Sequence, residues 1–206
     1  MMPKAEVFET TYHNYLKQIA DLKPAAIIDI LGITSDDGDF VIPFMGKTYR
    51  VSAEGIYGPN GKRPDFGVCV VLCKYLLMCP VGVSNDRQWI PFRDIKDASP
   101  LIGYFENNVK RMLVENFAER LTALAAAAEK IGAQPVEMDL AYDLVRQIGV
   151  LPNVSTLLLF NDGDKEFPAM CSLLFEKRAQ NYLDPECLAV VGGYVEYALR
   201  EAAERM

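Results

Sequence analysis

An α+β fold, a mainly antiparallel sheet covered by helices, is predicted by three features of this 206-residue sequence. Apolar stripes at helical spacing open and close the chain. Strand-like runs cluster in the C-terminal half at about 139–148, 154–161 and 166–175, joined by turn-forming residues, with a further hairpin at about 39–52. Between these lies "DFGVCVVLCKYLLMC", residues 65–79, apolar on nearly every helical face and therefore a central helix enclosed by its neighbours. Helices segregated around antiparallel strands are the α+β arrangement.

Residues 5–20 form an amphipathic helix, with Phe8, Tyr12, Tyr15, Leu16 and Ile19 on one stripe and Glu6, Glu9, His13 and Lys17 facing away. A short helix from Pro24 to Leu31 stops at Gly32. "FVIPFMGKTYRV" reads as two strands joined at Gly46-Lys47, glycine taking the first central position of a type II′ turn. In "LIGYFENNVKRMLVENFAERLTALAAAAEKIG", Phe117, Leu121, Leu124, Ala128 and Ile131 keep helical spacing before Gly132, giving two helices or one bent helix. The period then becomes two: Leu140, Tyr142, Leu144 and Ile148 alternate with Asp139, Ala141, Asp143 and Gln147. "VSTLLLF" and "FPAMCSLLF" are apolar on both faces and read as interior strands. The last helix takes Asp184 as N-cap and Pro185 at its first position, with Leu188, Val191, Val195 and Leu199 in register. No repeat or linker divides the chain, so residues 1–206 are expected to form one domain.

Half of the residues are hydrophobic, enough for a large core without disulfide staples. The formal charge of −7, with no dense Lys/Arg stripe, opposes a phosphate backbone and excludes nucleic acid as the expected partner. The stretch "FGVCVVLCKYLLMCPVGV" approaches the length of a membrane span. Lys74 at its middle carries an insertion penalty of about 2.5–3.5 kcal/mol, and Pro80 interrupts its end, so no membrane span is expected. "MMPKAEVFETTYHNYL" lacks the apolar segment of a signal peptide, which makes the cytoplasm the expected location. The five cysteines are odd in number and lie among apolar neighbours, as reduced thiols do. High apolar content makes a homodimer or a protein partner reasonable.

Three groups of residues carry candidate chemistry. In "FNDGDKEFPAMCSLLF", Asp162, Asp164 and Glu166 alternate between apolar runs, open to a cation loop, an acid/base site or a hairpin turn. Counted from Asp162, the glycine and glutamate places of an EF-hand hold Phe167 and Leu173. The turn is favoured, with Gly163 supplying a positive φ and Asn161 or Asp162 bonding its own backbone. Asp164 and Glu166 would share a face if extended, and could pair with Lys74 or Tyr75 for acid/base work. Cys69, Cys73 and Cys79 are spaced unlike any zinc or iron–sulfur motif, and core packing beside Leu72 and Leu76 is favoured over a metal or cluster site. Lys74 either snorkels to the surface or, if desolvated, acquires a lowered pKa suited to a base or nucleophile; snorkelling is favoured. His13, the only histidine, falls on a polar face, which argues against triads and histidine metal sites. "GIYGPNGKRP" misses the spacing of a P-loop, and no cofactor is required by any motif.

The segment "VLPNVSTLLLFNDGDKEFPAMCSLLFEKRAQNYLDPECLAVVGGYV", with "CKYLLMC", "WIPFRDI" and "YFENNVKRML" upstream, resembles an uncharacterised prokaryotic family, number 3786 in the domain-of-unknown-function series. Its members are met largely in anaerobes. Some are joined to a cysteine-rich iron–sulfur segment, which implies redox or corrinoid-linked metabolism. Tyr75, Asp164, Glu166 and Tyr182 match the family pattern, whereas Lys74 stands in place of a histidine and Glu176 in place of an aspartate. This chain has no CxxC, so a cluster would have to come from a partner. The reading expected on these grounds is a non-catalytic binding or accessory module. The alternatives are an enzyme using Asp164 and Glu166 with Lys74 or Tyr75, and a metal or cluster carrier through Cys69, Cys73 and Cys79.

Overall fold

The computed structural model describes residues 4–138 and 141–205, and its architecture is α+β, built on two antiparallel sheets. Helix α1 (Lys4–Ala20) buries Tyr12, Leu16 and Ile19, three members of the predicted stripe. Phe8 stacks on Phe66, ring centroids 4.4 Å apart, and stays partly exposed. Helix α2 (Pro24–Leu31) is closed by Gly32 at φ +67°, whose N–H bonds to the Ile28 carbonyl. A side chain there would also meet Pro152, 3.0 Å from the position of a Cβ.

The predicted hairpin is the middle of a four-stranded sheet, β1 (Thr34–Asp36), β2 (Asp39–Phe44), β3 (Lys47–Val51) and β4 (Ile56–Tyr57), in that spatial order. Its turn differs from the expected type. Phe44 pairs with Lys47, so the central residues are Met45 and Gly46, at φ +50° and +71°, both positive as in a type I′ turn. That conformation leaves the Met45 N–H free to donate to the Val150 carbonyl in the other sheet, at 2.9 Å.

Helix α3 (Phe66–Leu77) is the predicted central helix. Asp65 caps it, accepting from the Val68 N–H, and Val68, Cys69, Val71, Leu72, Cys73, Tyr75 and Leu76 are buried. After β5 (Trp89–Pro91) come α4 (Ile102–Phe105), a π-helical turn (Glu106–Lys110) and α5 (Arg111–Phe117). The "two helices or one bent helix" of the sequence are separated at Glu119, φ +62°, before α6 (Leu121–Lys130).

The second sheet has the order β5-β9-β8-β7-β6, with β6 (Gln134–Pro135), β7 (Leu144–Leu151), β8 (Val154–Asn161) and β9 (Met170–Glu176). Every residue of β8 from Val154 to Phe160 is buried, as its two-sided apolar sequence implies. Two expected boundaries move. Strand β7 starts at Leu144 and not at 139, because the Asp143 N–H bonds to the Asn161 side chain and the Asp143 carboxylate takes the Asp162 N–H, ending the ladder with side chains. Residues 139 and 140 of that expected strand lie outside the described residues. Strand β9 starts at Met170 and not at 166, because Asp164 folds the preceding backbone around its own carboxylate.

Helix α7 (Pro185–Glu204) buries Leu188, Val191, Val195 and Leu199 against α3, α4, α5 and α6. One buried cluster joins this stripe to Ile42 and Val51 of the first sheet and Leu158 and Phe175 of the second. The closest approach is at Gly192, where a Cβ would lie 2.5 Å from the Phe105 ring. That ring stacks on Phe92 with centroids 4.3 Å apart, so it has no room to retreat. Gly193, next in the helix, has nothing within 4 Å of a Cβ. Among the described residues no helix is long and apolar enough to cross a membrane.

Gly192→Ala is expected to lower the unfolding free energy by about 1–3 kcal/mol through overpacking. Gly193→Ala is expected to raise it by about 0.5–1 kcal/mol through helix propensity. Urea denaturation of the two variants reads both signs.

Candidate functional site

The acidic loop 162–169 joins β8 to β9, so the predicted hairpin connection is present, but its chemistry is local. Asp164 accepts from the Glu166 and Phe167 N–H groups at 2.7 and 2.8 Å, and these bonds hold its carboxyl below the ordinary range. Asp162 accepts from the Glu119 N–H at 2.7 Å and the Gly163 N–H at 2.9 Å. Gly163 does not take the expected positive φ; its smallness is used instead, a Cβ lying 3.0 Å from the Ala169 nitrogen. The loop is not extended, so Asp164 and Glu166 do not line up on one strand face.

Lys74 reaches outward along its stem to the helix cap of α7, its Nζ 3.0 Å from Asp184 Oδ2. The hydrogen bond it donates to the Asp184 carboxylate raises its pKa, the opposite of the lowered value that a desolvated base requires. Tyr75, one residue on, points inward and is fully buried. Its hydroxyl donates to the Leu31 carbonyl at 2.6 Å and accepts from the Asn153 N–H at 3.3 Å. Burial pushes that phenol well above its usual range. Asn153 continues the network, donating through Nδ2 to the Ile30 carbonyl and accepting at Oδ1 from Arg178, whose Nε is 2.6 Å from Glu176 Oε2. Tyr182 packs beside Tyr75 with ring centroids 6.0 Å apart. Among the described residues no hydrogen bond or ion pair links Asp164 or Glu166 to Lys74 or Tyr75.

Cys69 and Cys73 are neighbours in the core, and burial pushes their thiols up to about 11 and about 12. The Cys69 thiol is directed at the Pro64 carbonyl, whereas Cys79, beyond the end of α3, is directed at Pro80. Among the described residues no group of three or more His, Cys, Asp or Glu side chains is placed to hold a metal ion. His13 is exposed on α1, its Nδ1 2.7 Å from the Glu9 carbonyl.

A concave surface lies elsewhere, a groove of about 570 Å³ between the β2–β3 turn, the start of α3 and the last turns of α6 and α7. Tyr194 and Tyr197 supply aromatic surface above the buried rings of Phe44 and Tyr49, and Lys47, Lys130 and Arg205 supply cations. Its geometry follows from the elements around it. The type I′ turn carries Lys47 to the rim, and Phe44 lies edge-on to Tyr194 at 5.7 Å. The Tyr194 hydroxyl donates to the Asp65 carboxylate that caps α3. It fits there because residue 67 is glycine; a Cβ would lie 2.9 Å from that oxygen. Burial and the Asp65 charge push the Tyr194 phenol upward. None of these residues was singled out as a site from sequence, although Tyr194 and Tyr197 stand three apart on α7, off the apolar stripe that identified the helix.

Burial pushes the Asp184 carboxyl up, but the Cys187 N–H bond and the Lys74 pair outweigh it, so its folded pKa is lowered. Its stabilisation is therefore present above the unfolded carboxylate value of about 3.9 and is lost as pH falls through the folded value. Asp184→Ala should cost about 1–3 kcal/mol at pH 7 through the lost cap and ion pair, and the difference from wild type should vanish at acid pH. Denaturation at a series of pH values measures this. Iodoacetamide at pH 8 should label partly exposed Cys79 first and leave Cys69 and Cys73 unmodified until the protein unfolds, as mass spectrometry of digests would show.

Comparison with curated proteins finds no match, and comparison with solved structures finds none either. A family model described as a domain of unknown function, DUF3786, matches residues 23–197, a span that holds α2, the whole of both sheets and most of α7. The chain belongs to the DUF3786 family.

Proposed function

We propose that this protein is a non-catalytic binding module that takes a small organic ligand in the groove between the β2–β3 turn and α7. The observation that carries the reading is the groove itself: about 570 Å³, within the usual range for ligand sites, with aromatic walls and a few polar groups at defined positions. Its acidic side chains and Tyr194 are held in structural bonds. Asp65 caps α3 and receives the Tyr194 hydroxyl, and the raised pKa of Tyr194 makes it a poor base at neutral pH. The cysteine-rich iron–sulfur segment that the family resemblance implies for some members supports an accessory role in anaerobic redox or corrinoid metabolism, in which this chain contributes recognition and a partner contributes the electron chemistry.

The neutral fluorophore N-phenyl-1-naphthylamine tests the groove. One equivalent is expected to bind the wild-type protein with enhanced emission. Ala198→Trp, which fills the groove from α7, should abolish that binding while leaving the far-UV circular dichroism and the melting temperature unchanged. Equal binding by both proteins, or none by the wild type, would overturn the assignment.

A further inference from the structure

The groove lies on a protein whose net charge is −7, yet its own balance is positive once internal pairs are set aside. Two carboxylates line it, and both are engaged. Asp65 Oδ1 accepts from the Val68 N–H and from the Tyr194 hydroxyl. Glu201 Oε2 is 2.8 Å from the Arg205 guanidinium, one helical turn away, so these two charges cancel. Two ammonium groups remain against the single charge of Asp65. Among the described residues no carboxylate oxygen lies within 4.0 Å of Lys47 or Lys130; Lys130 donates only to the Ala202 carbonyl, at 3.3 Å. One lysine stands on the hairpin rim and the other at the end of α6, with Phe44, Tyr49 and Tyr194 also lining the groove. A cation at the edge of an aromatic, partly desolvated surface attracts an anion more strongly than one in open water.

We infer that the groove selects a planar aromatic molecule bearing a single negative charge, a carboxylate, with the ring against the tyrosines and the anionic group between Lys47 and Lys130. The inference rests on the groove being the binding site, as proposed above. A doubly charged phosphate fits less well on two grounds. The helix N-terminus nearest the groove, that of α3, is already filled by the Asp65 carboxylate, which repels a dianion more than a monoanion and occupies an N–H that would otherwise serve a phosphate. The arginine at the groove is paired with Glu201 and so does not offer the free guanidinium fork with which phosphates are commonly held.

The probes are 1-anilinonaphthalene-8-sulfonate, an aromatic monoanion, and neutral N-phenyl-1-naphthylamine, titrated into the intact protein. A Lys47→Gln, Lys130→Gln double variant is expected to bind the anionic probe about tenfold more weakly, the effect of losing one charge-assisted interaction of ordinary strength. Its affinity for the neutral probe should be unchanged, and Lys17→Gln, on the exposed face of α1, should change neither. Equal weakening of both probes, or no weakening of either, overturns the charge assignment while the neutral probe still reports the groove. Failure of the neutral probe on wild type removes the groove reading itself. In displacement of the anionic probe, 1-naphthoate is expected to compete at least about tenfold better than 1-naphthyl phosphate, a difference of one charge-assisted contact. The reverse order overturns the carboxylate class in favour of a phosphate.

Discussion

The arrangement of this protein depends on one buried polar chain, Leu31 carbonyl to Tyr75 to Asn153 to Arg178 to Glu176. Apart from the local Arg178–Glu176 pair at the exit of β9, its links join elements far apart in sequence: the end of α2, the C-terminal end of α3, the β7–β8 turn and the segment after β9. Arg178 and Glu176 are 5% and 3% exposed, so neither charge finds much water; Glu176 is satisfied by Arg178, and Arg178 by Glu176 and Asn153. Removal of one partner from such a pair leaves an uncompensated buried charge, a loss of about 3–5 kcal/mol in comparable cases. Apolar packing alone would tolerate small shifts of α3 over the large sheet. The network does not, because the Tyr75 hydroxyl meets its acceptor in only one placement.

That placement fixes α3, and α3 fixes the groove. With Tyr75 anchored at one end of the helix, Asp65 is held at the other, where it meets Tyr194 of α7. Gly67 and Gly192 let α7 come close at two points, one beside Asp65 and one against the Phe105 ring. The groove is therefore the space left between packed neighbours, walled by helices on one side and by a short hairpin on the other.

Much of the fold was legible in the sequence. The stripes of α1 and α7, the Asp184 cap, the enclosure of α3 and the two-sided burial of β8 all follow from periodicity and capping chemistry, which act within a few residues. The type I′ turn was not legible, because the reason for positive φ at Met45 is a carbonyl at Val150, about a hundred residues away. Strand ends at Leu144 and Met170 were misplaced for a related reason: Asp143 and Asp164 compete for backbone N–H groups, and that competition is decided by side-chain geometry. The short edge strands β4, β5 and β6 carry too few residues for a period to show. The site was the least legible part. Conspicuous polar residues, Lys74, Asp164 and the cysteines, turned out to hold ion pairs, turns and core, whereas the groove is made of tyrosines and lysines that look ordinary one at a time and acquire meaning only by convergence.

Among the described residues the Met45 N–H to Val150 carbonyl bond is the single backbone hydrogen bond between the two sheets. It sits one residue from Phe44 and two from Lys47, both of which line the groove. Opening of the groove by a swing of the hairpin must break this bond or carry β7 with it. The exchange rate of one amide proton, that of Met45, therefore reports the free energy of hairpin opening separately from global unfolding. A molecule held between the hairpin and α7 would slow that proton even if it touched no part of the large sheet, so the smaller sheet acts as a hinged wall whose latch is a lone peptide group.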